Sequence, residues 1–181
     1  TDMISQAGLF LLDTLTGILT VLLLLRFYMQ AFRVSFANPI GAFVVQITNW
    51  LVMPLRRVLP GVFGLDLATL LPAYLLQVFL LLAVIALRGG FEWVAPEKLI
   101  AMVLWQAVLA TLRFSIYLLI GVLFLQAILS WVNPYSPLVQ PVAQLTRPFL
   151  NPIRRFIPPV ASIDLSPLIA ILLAQLVLIF L

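Results

Sequence analysis

Four long apolar runs limit this chain to a membrane environment. Residues 67–87 contain no charged side chain and as a helix would reach about 30 Å, the thickness of a bilayer's hydrocarbon core. Three further apolar runs cover residues 3–32, 99–132 and 165–181. Because 64% of the residues are hydrophobic and only 9% are charged, too little polar surface remains to coat a soluble domain. We therefore predict an all-α membrane protein with four transmembrane helices.

The missing residue types exclude most enzyme chemistry. The chain has no histidine and no cysteine, which removes Cys/His zinc sites, Ser-His and Cys-His nucleophiles and thiol redox centres. Haem also loses its usual histidine and cysteine ligands. Since Asp and Glu together number only six, we expect no enzyme, no metal site and no cofactor.

The net charge of +4 indicates a partner of opposite sign. Basic loops beside membrane helices attract anionic headgroups at about 1 kcal/mol for each Lys or Arg near the surface. Nucleic-acid binding needs a dense basic face, whereas the ten Lys and Arg residues of this chain are spread along an apolar sequence. We therefore expect membrane lipids as a partner and no nucleic acid.

The segment between the first two spans, residues 35–65, has a different pattern. Its apolar residues recur at the spacing of one helix face: Ile40, Phe43, Val44, Ile47 and Leu51. This predicts an amphipathic helix that is too short and too polar to cross the bilayer. Such a helix either lies in the interface or enters the bilayer as a re-entrant element shielded by the other helices.

The chain is a tandem repeat. The pattern Pro-x-Arg-Arg-x-x-Pro occurs at residues 54–60 and again at residues 152–158, an offset of 98 positions. The same offset aligns further residues in pairs: Pro39 with Pro137, Thr48 with Thr146, Asp66 with Asp164, and Gln77 with Gln175. The first span of each repeat aligns at an offset of 100, because the first repeat has two extra loop residues.

These alignments define the domain organisation. We assign residues 1–87 to the first repeat, residues 88–98 to a linker and residues 99–181 to the second repeat. Each repeat holds a span, an amphipathic or re-entrant helix, an Arg-Arg loop and a second span. Two spans per repeat give both repeats the same orientation, which predicts parallel repeats related by a pseudo-two-fold axis along the membrane normal.

Basic residues set the predicted orientation in the membrane. Seven arginines fall in or beside the two long loops: Arg26, Arg33, Arg56, Arg57, Arg147, Arg154 and Arg155. The opposite side has only Arg88 and Lys98. The positive-inside rule therefore places both long loops in the cytoplasm and both termini outside.

The doubled motif resembles that of a known family. Two copies of a hydrophobic span, then Asn-Pro or Ser-Pro, then Pro-[Leu/Ile]-Arg-Arg-x-[Leu/Ile]-Pro with an aspartate six residues later, are similar to the YGGT family of small bacterial and plastid membrane proteins. The resemblance covers nearly the whole chain and implies a bacterial inner membrane, with both termini periplasmic. It links bacterial members to osmotic-stress tolerance and ion uptake, and a plastid relative to assembly of a haem-bearing cytochrome. Without histidine, an assembly role for this chain implies scaffolding.

The arginine pairs Arg56/Arg57 and Arg154/Arg155 have two interpretations. In the simpler one, they only hold the loops in the cytoplasm and touch lipid phosphates. In the other, prolines on both sides make each loop a stiff turn that points its guanidinium groups in one direction. The two turns then form a four-arginine cluster that binds an anionic headgroup or an acidic partner segment. The flanking prolines are Pro54, Pro60, Pro152 and Pro158.

Asp66 and Asp164 directly precede the second span of each repeat. A carboxylate there is suited to cap the helix N-terminus by accepting hydrogen bonds from free N–H groups. An ion pair from each aspartate to the Arg-Arg pair of its own repeat is compatible with capping, and it would clamp the loop to the start of the helix.

Asp13 and Arg113 are charged residues inside apolar runs, at equivalent positions of the two repeats. A charge inside the bilayer is costly and is usually paired or functional. Parallel repeats would bring the two side chains together as an intramembrane ion pair. Alternatively, each side chain extends to an interface, or Asp13 serves as the cation or proton site of a transporter.

Together these features predict a small polytopic scaffold or assembly factor that acts through lateral helix contacts and Arg-rich cytoplasmic loops. Its expected partner is another membrane protein or a second copy of the chain. The alternative is an ion or osmolyte transporter or channel subunit. That alternative requires an oligomer, because four spans rarely enclose a pore.

Overall fold

The computed structural model describes residues 2–92, 94–161 and 163–181. Within these residues the regular structure consists of six α-helices and a short 3-10 turn at Gly90–Glu92. In chain order the helices are α1 (Met3–Ala31), α2 (Pro39–Arg56), α3 (Leu67–Leu87), α4 (Pro96–Val132), α5 (Val139–Phe156) and α6 (Ser166–Phe180).

Three helices, α1, α3 and α4, are long and apolar enough to cross a membrane. The fourth predicted span, residues 165–181, forms the apolar helix α6 of 15 residues. At 1.5 Å per residue α6 reaches about 22 Å, less than the ~30 Å hydrocarbon core. The chain is therefore a multi-pass membrane protein with three helices of full spanning length and a shorter apolar helix.

Helix α4 is unbroken over 37 residues. It extends for about 55 Å, so it tilts or protrudes from a bilayer rather than breaking within it. Its N-terminal half contacts α3, where the Tyr74 hydroxyl donates to the Leu104 carbonyl oxygen at 2.9 Å. Its C-terminal half contacts α6, where Leu123 packs near Ala170.

The tightest packing joins α1, α2 and α3 in the first repeat. One apolar cluster there consists of five fully buried residues: Leu23, Leu24, Val52, Ala68 and Ala73. A buried hydrogen bond from Gln77 Nε2 to Thr20 Oγ1, at 2.9 Å, also ties α3 to α1. Interhelical side-chain hydrogen bonds of this kind add about 0.6 kcal/mol each in membrane bundles.

The same tight turn leads into α3 and into α6. In the first repeat, Val62 and Leu65 exchange two main-chain hydrogen bonds of 3.1 and 2.9 Å, and Phe63 between them has a φ of 53°. In the second repeat, Val160 and Ile163 make the same two bonds, and Ala161 has a φ of 52°. Both turns are 98 positions apart, the offset read from the sequence.

The buried face of helix α2 differs from the apolar face predicted from the sequence. One line of residues is buried: Gly41, Val44, Thr48 and Val52. Phe43 and Ile47, which the sequence pattern places on one apolar face with Val44, are 54% and 36% exposed, so this face is divided between the protein core and the outer surface. The reason is that Thr48 takes the inward position, where it meets a polar partner on α1. The outward surface of α2 is therefore apolar and suited to lipid.

Helix α5 has the opposite character, with a clear apolar and a clear polar face. Pro141, Val142, Leu145 and Leu150 are buried. Its exposed polar side chains are Gln140, Arg147, Asn151, Arg154 and Arg155, and Phe149 and Phe156 are exposed as well. The two amphipathic helices thus occupy equivalent sequence positions but present different surfaces.

Contacts between the repeats are not arranged as a two-fold axis requires. A two-fold axis would exchange α1 with α4 and α3 with α6, so a contact between α3 and α4 would be matched by one between α6 and α1. Helix α3 does pack against α4, but α1 and α6 make no comparable contact in the described part of the chain. The Gln144 side chain on α5 donates to the Arg33 carbonyl oxygen at 2.9 Å. The internal structure of each repeat is matched, but the predicted pseudo-two-fold axis is not seen.

Candidate binding site at the arginine pairs

In the first repeat, one arginine of the pair is tied to the start of α3. Arg56 Nη2 forms an ion pair with Asp66 Oδ2. The other carboxylate oxygen of Asp66 accepts the Ala68 N–H at 3.2 Å and caps α3. The Asp66 side chain is 9% exposed and that of Arg56 is 44% exposed. The aspartate therefore acts as cap and as ion-pair partner at once.

The second repeat repeats this arrangement in a more open setting. Arg154 donates from Nε and Nη2 to Asp164 Oδ2, at 3.0 and 2.8 Å. Asp164 Oδ1 accepts from the Ser166 N–H at 3.0 Å and from the Ser166 hydroxyl. Here the two charged side chains are 41% and 40% exposed. The ion pairs Arg56–Asp66 and Arg154–Asp164 thus each clamp a loop to the start of a helix, and only in the first clamp is the aspartate shielded from solvent.

The hydrogen bonds at Asp164 favour its ionised form. Partial burial by itself raises the pKa of this carboxyl. The hydrogen bonds from the Ser166 side chain and main chain, followed by those of Arg154, outweigh that effect and lower the pKa below its ordinary value of 3.8. The clamp is consequently charged at neutral pH.

The arginine pairs lie on helix ends rather than in proline-bounded turns, so the predicted stiff turn was wrong. Pro54 lies inside α2 and Pro152 inside α5. The fixed φ of a proline is compatible with a helix, although each interior proline removes one main-chain hydrogen bond. Arg56 ends α2, and Arg154 and Arg155 lie in the last turn of α5, where a positive charge complements the helix dipole. Pro60 and Pro158 follow in the loops.

The second arginine of each pair, Arg57 or Arg155, is exposed. Across residues 2–92, 94–161 and 163–181, neither side chain makes a hydrogen bond or an ion pair. The two members of each pair therefore differ: one is held by an aspartate and the other has its guanidinium group free.

Arg26 occupies a position that the sequence did not indicate. It was expected beside the cytoplasmic loop, but it lies within α1 and is only 4% exposed. Its Nη1 donates to Thr48 Oγ1 at 2.8 Å and to Asn49 Oδ1 at 3.0 Å. The only sequence signal was indirect, since Thr48 and Asn49 interrupt the apolar pattern of α2.

The second repeat has a neutral version of this contact. Gln126, aligned with Arg26 at the offset of 100, accepts a hydrogen bond from Thr146, which is aligned with Thr48. Each repeat therefore docks its amphipathic helix on its first helix through a polar contact. In the first repeat the contact is charged and buried.

Asp13 and Arg113 are not brought together. Arg113 Nε donates to the Leu181 carbonyl oxygen at 3.1 Å, and Asp13 is exposed on α1 and has no ion pair within the described residues. The helices do meet nearby, where Gly17 lies against the ring of Phe114. Arg113 precedes Phe114 by one residue, a rotation of about 100° around α4, so it faces α6 instead of α1.

A groove of about 280 Å³ opens between α4 and α6 beside the second clamp. Its lining includes the polar side chains Gln126, Ser130, Trp131, Arg154 and Asp164. In the first repeat, the aligned region is filled, since Leu24 and Ala73 are fully buried there. No group of three or more Asp, Glu, His or Cys side chains in the described part of the chain is placed to hold a metal ion.

Comparison with known proteins agrees with the doubled motif. The family model described as CCB3/YggT matches residues 5–88 and 105–181. A protein named YggT from Escherichia coli K12 is 42% identical over 166 residues, covering 91% of this chain and 83% of its own length. A Pseudomonas aeruginosa protein is 35% identical over 180 residues, covering 96% of this chain and 87% of its own.

A third relative, from the proC 3′ region of Vibrio alginolyticus, is 39% identical over 163 residues, which cover 88% of this chain and 85% of that protein. The names of these three relatives describe them as uncharacterized. No solved structure matches the chain. The matches to the family model and to these relatives establish that the chain belongs to the CCB3/YggT family.

Proposed function

We propose that this protein is a scaffold or assembly factor of the bacterial inner membrane. In this proposal both clamps lie at the cytoplasmic surface, and the protein binds an acidic segment of another membrane protein there, among anionic headgroups. The observation that carries the proposal is the difference within each arginine pair. Arg56 and Arg154 are held by aspartates, whereas Arg57 and Arg155 are exposed without a partner among the described residues.

The free guanidinium groups suit such a role. Each presents five N–H donors in a planar fork that matches a carboxylate or a phosphate. The neighbouring clamp fixes the end of the helix that carries the free arginine, so less conformational entropy is lost on binding. The apolar outward surface of α2 supplies a lateral contact for the same partner or for lipid.

The test is native extraction of a tagged chain in mild detergent, followed by identification of the proteins that copurify. The double variant R57Q/R155Q should lose a stoichiometric partner and keep its thermal stability. The matched control is R88Q, which removes an exposed arginine from the opposite end of α3. Unchanged recovery of the partner with R57Q/R155Q, or equal loss with R88Q, would contradict the proposal.

A second candidate function, transport of an ion or osmolyte by an oligomer, is favoured by Asp13. An exposed carboxylate on an apolar helix, without an ion pair in the described part of the chain, is costly in lipid and suggests a water-filled path or a bound cation. The variant D13N distinguishes the two functions in reconstituted liposomes. Transport predicts altered flux, and scaffolding predicts that D13N keeps both its partner and an unchanged flux.

A further inference from the structure

The groove between α4 and α6 is polar at one end and mainly apolar along the rest of its length. Ser130, Trp131, Arg154 and Asp164 line its polar end, and Gln126 lies one turn deeper in α4. The apolar lining residues of the two helices include Phe124, Ile128, Leu168 and Ile171. This is the shape of a site for one phospholipid, with a headgroup at one end and an acyl chain along the helices. Tryptophan beside the polar end is typical of the membrane–water interface.

The unused hydrogen-bonding groups at the polar end are mainly donors. Arg154 uses Nε and Nη2 for Asp164 and Ser166, and its Nη1 makes no hydrogen bond to any residue that the structure describes. Gln126 accepts from Thr146 through Oε1, and its amide nitrogen makes no hydrogen bond within the described residues. The indole nitrogen of Trp131 is a further donor. Such a set matches the oxygens of a phosphate group.

Asp164 does not oppose this assignment. Its two carboxylate oxygens already receive four hydrogen bonds, two from Arg154 and two from Ser166, so its lone pairs are used. An ammonium headgroup therefore has no free acceptor on this carboxylate. Arg155, next to Arg154 in sequence but outside the groove lining, adds one positive charge beside the neutral Arg154–Asp164 pair, which favours an anionic headgroup.

The first repeat is an internal comparison. Its clamp has the same Arg–Asp geometry, but Asp66 is 9% exposed against 40% for Asp164. Leu24 and Ala73, aligned with groove positions, are buried with no exposed surface. The open groove is thus a property of the second repeat and not of the clamp itself.

From these observations we infer that the α4–α6 groove binds one anionic phospholipid. Its phosphate group accepts hydrogen bonds from Arg154 and Gln126, and one acyl chain lies along Leu168 and Ile171. The site does not involve Arg57 and does not depend on the scaffold role. It would remain if no protein partner were found.

The experiment is native mass spectrometry of the full chain from nanodiscs made with either phosphatidylglycerol or phosphatidylethanolamine. The wild type should retain one phosphatidylglycerol per chain. L168W, which fills the groove at a position 57% exposed, should lose it, and Q126L should retain less. The matched control is L172W, at an exposed position one turn further along α6 and outside the groove, which should retain the lipid.

Two results would overturn the inference. If L168W retained phosphatidylglycerol as well as L172W does, the bound lipid would be annular and not in the groove. If phosphatidylethanolamine were retained as strongly as phosphatidylglycerol, the headgroup assignment would be wrong. Because L168W leaves the Arg154–Asp164 clamp intact, loss of lipid in this variant cannot be ascribed to unfolding of the clamp, and unchanged thermal stability checks this directly.

Discussion

Removing the charge of Asp66 should destabilise the protein more than removing that of Asp164. The two aspartates are aligned, and each accepts the main-chain N–H two residues further along and binds the equivalent arginine. However, the Asp66 side chain is 9% exposed and that of Asp164 is 40% exposed. The variants D66N and D164N preserve capping, because Asn caps as well as Asp. The two variants differ in the burial of the aspartate and in the additional hydrogen bond that the Ser166 hydroxyl donates to Asp164, and we expect burial to be the larger effect.

The magnitudes follow from the two environments. A hydrogen bond to a charged group in a shielded site contributes about 1.5–3 kcal/mol, against about 1 kcal/mol for a neutral one. D66N should therefore lower the free energy of unfolding by about 1–2 kcal/mol. Exposed ion pairs contribute only about 0.2–1 kcal/mol, so D164N should cost less than about 1 kcal/mol.

The assay is reversible unfolding in mixed micelles, followed by circular dichroism, with double-mutant cycles that include R56Q and R154Q. The coupling free energy between residues 56 and 66 should exceed that between residues 154 and 164. Equal costs for D66N and D164N, or a larger cost for D164N, would refute the argument that burial separates the two clamps.

Three further predictions concern other charged groups. Because the folded-state pKa of Asp164 is lowered, its contribution to stability is present above the ordinary carboxyl pKa and is lost as pH falls through the folded pKa. The thermal midpoint of the wild type should therefore fall more than that of D164N between about pH 5 and pH 2. Parallel curves of midpoint against pH would contradict this. R26Q, which copies the Gln126–Thr146 contact, should lower the free energy of unfolding by about 1 kcal/mol. R26L, which leaves Asn49 without its donor, should lower it by about 2–3 kcal/mol. Equal losses in the same unfolding assay would show that the Arg26 contact is not specific. The effects of D13N and R113Q on stability should be additive, since the two side chains do not meet. A coupling free energy between the two positions would show that they pair in the membrane.

Much of the local structure could be predicted from the sequence. The apolar runs at residues 67–87 and 99–132 coincide with α3 and most of α4, because long apolar segments have few alternatives in a bilayer. The offset of 98 residues predicted matched turns, and Val62–Leu65 and Val160–Ile163 have the same hydrogen bonds. Family membership also followed from the doubled motif.

The errors have a common physical cause, which is that a linear pattern does not show which face of a helix meets a neighbour. Arg26 was assigned to a loop because it is charged, but Thr48 and Asn49 compensate its burial. Phe43, Val44 and Ile47 belong to one apolar pattern in the sequence, but only Val44 is buried in the protein, because lipid is an equally good environment for Phe43 and Ile47. Arg113 was paired with Asp13 by alignment alone, and a rotation of one residue turns it towards α6.

The most direct test of the scaffold role is the mass of the native assembly extracted from bacterial membranes. The proposal predicts a mass that includes a second membrane polypeptide in fixed ratio to the 20.2 kDa chain, in addition to any bound lipid. A mass that is a whole multiple of the chain and its lipids, with no second polypeptide, would contradict the scaffold role and favour a transporter built from copies of this chain alone.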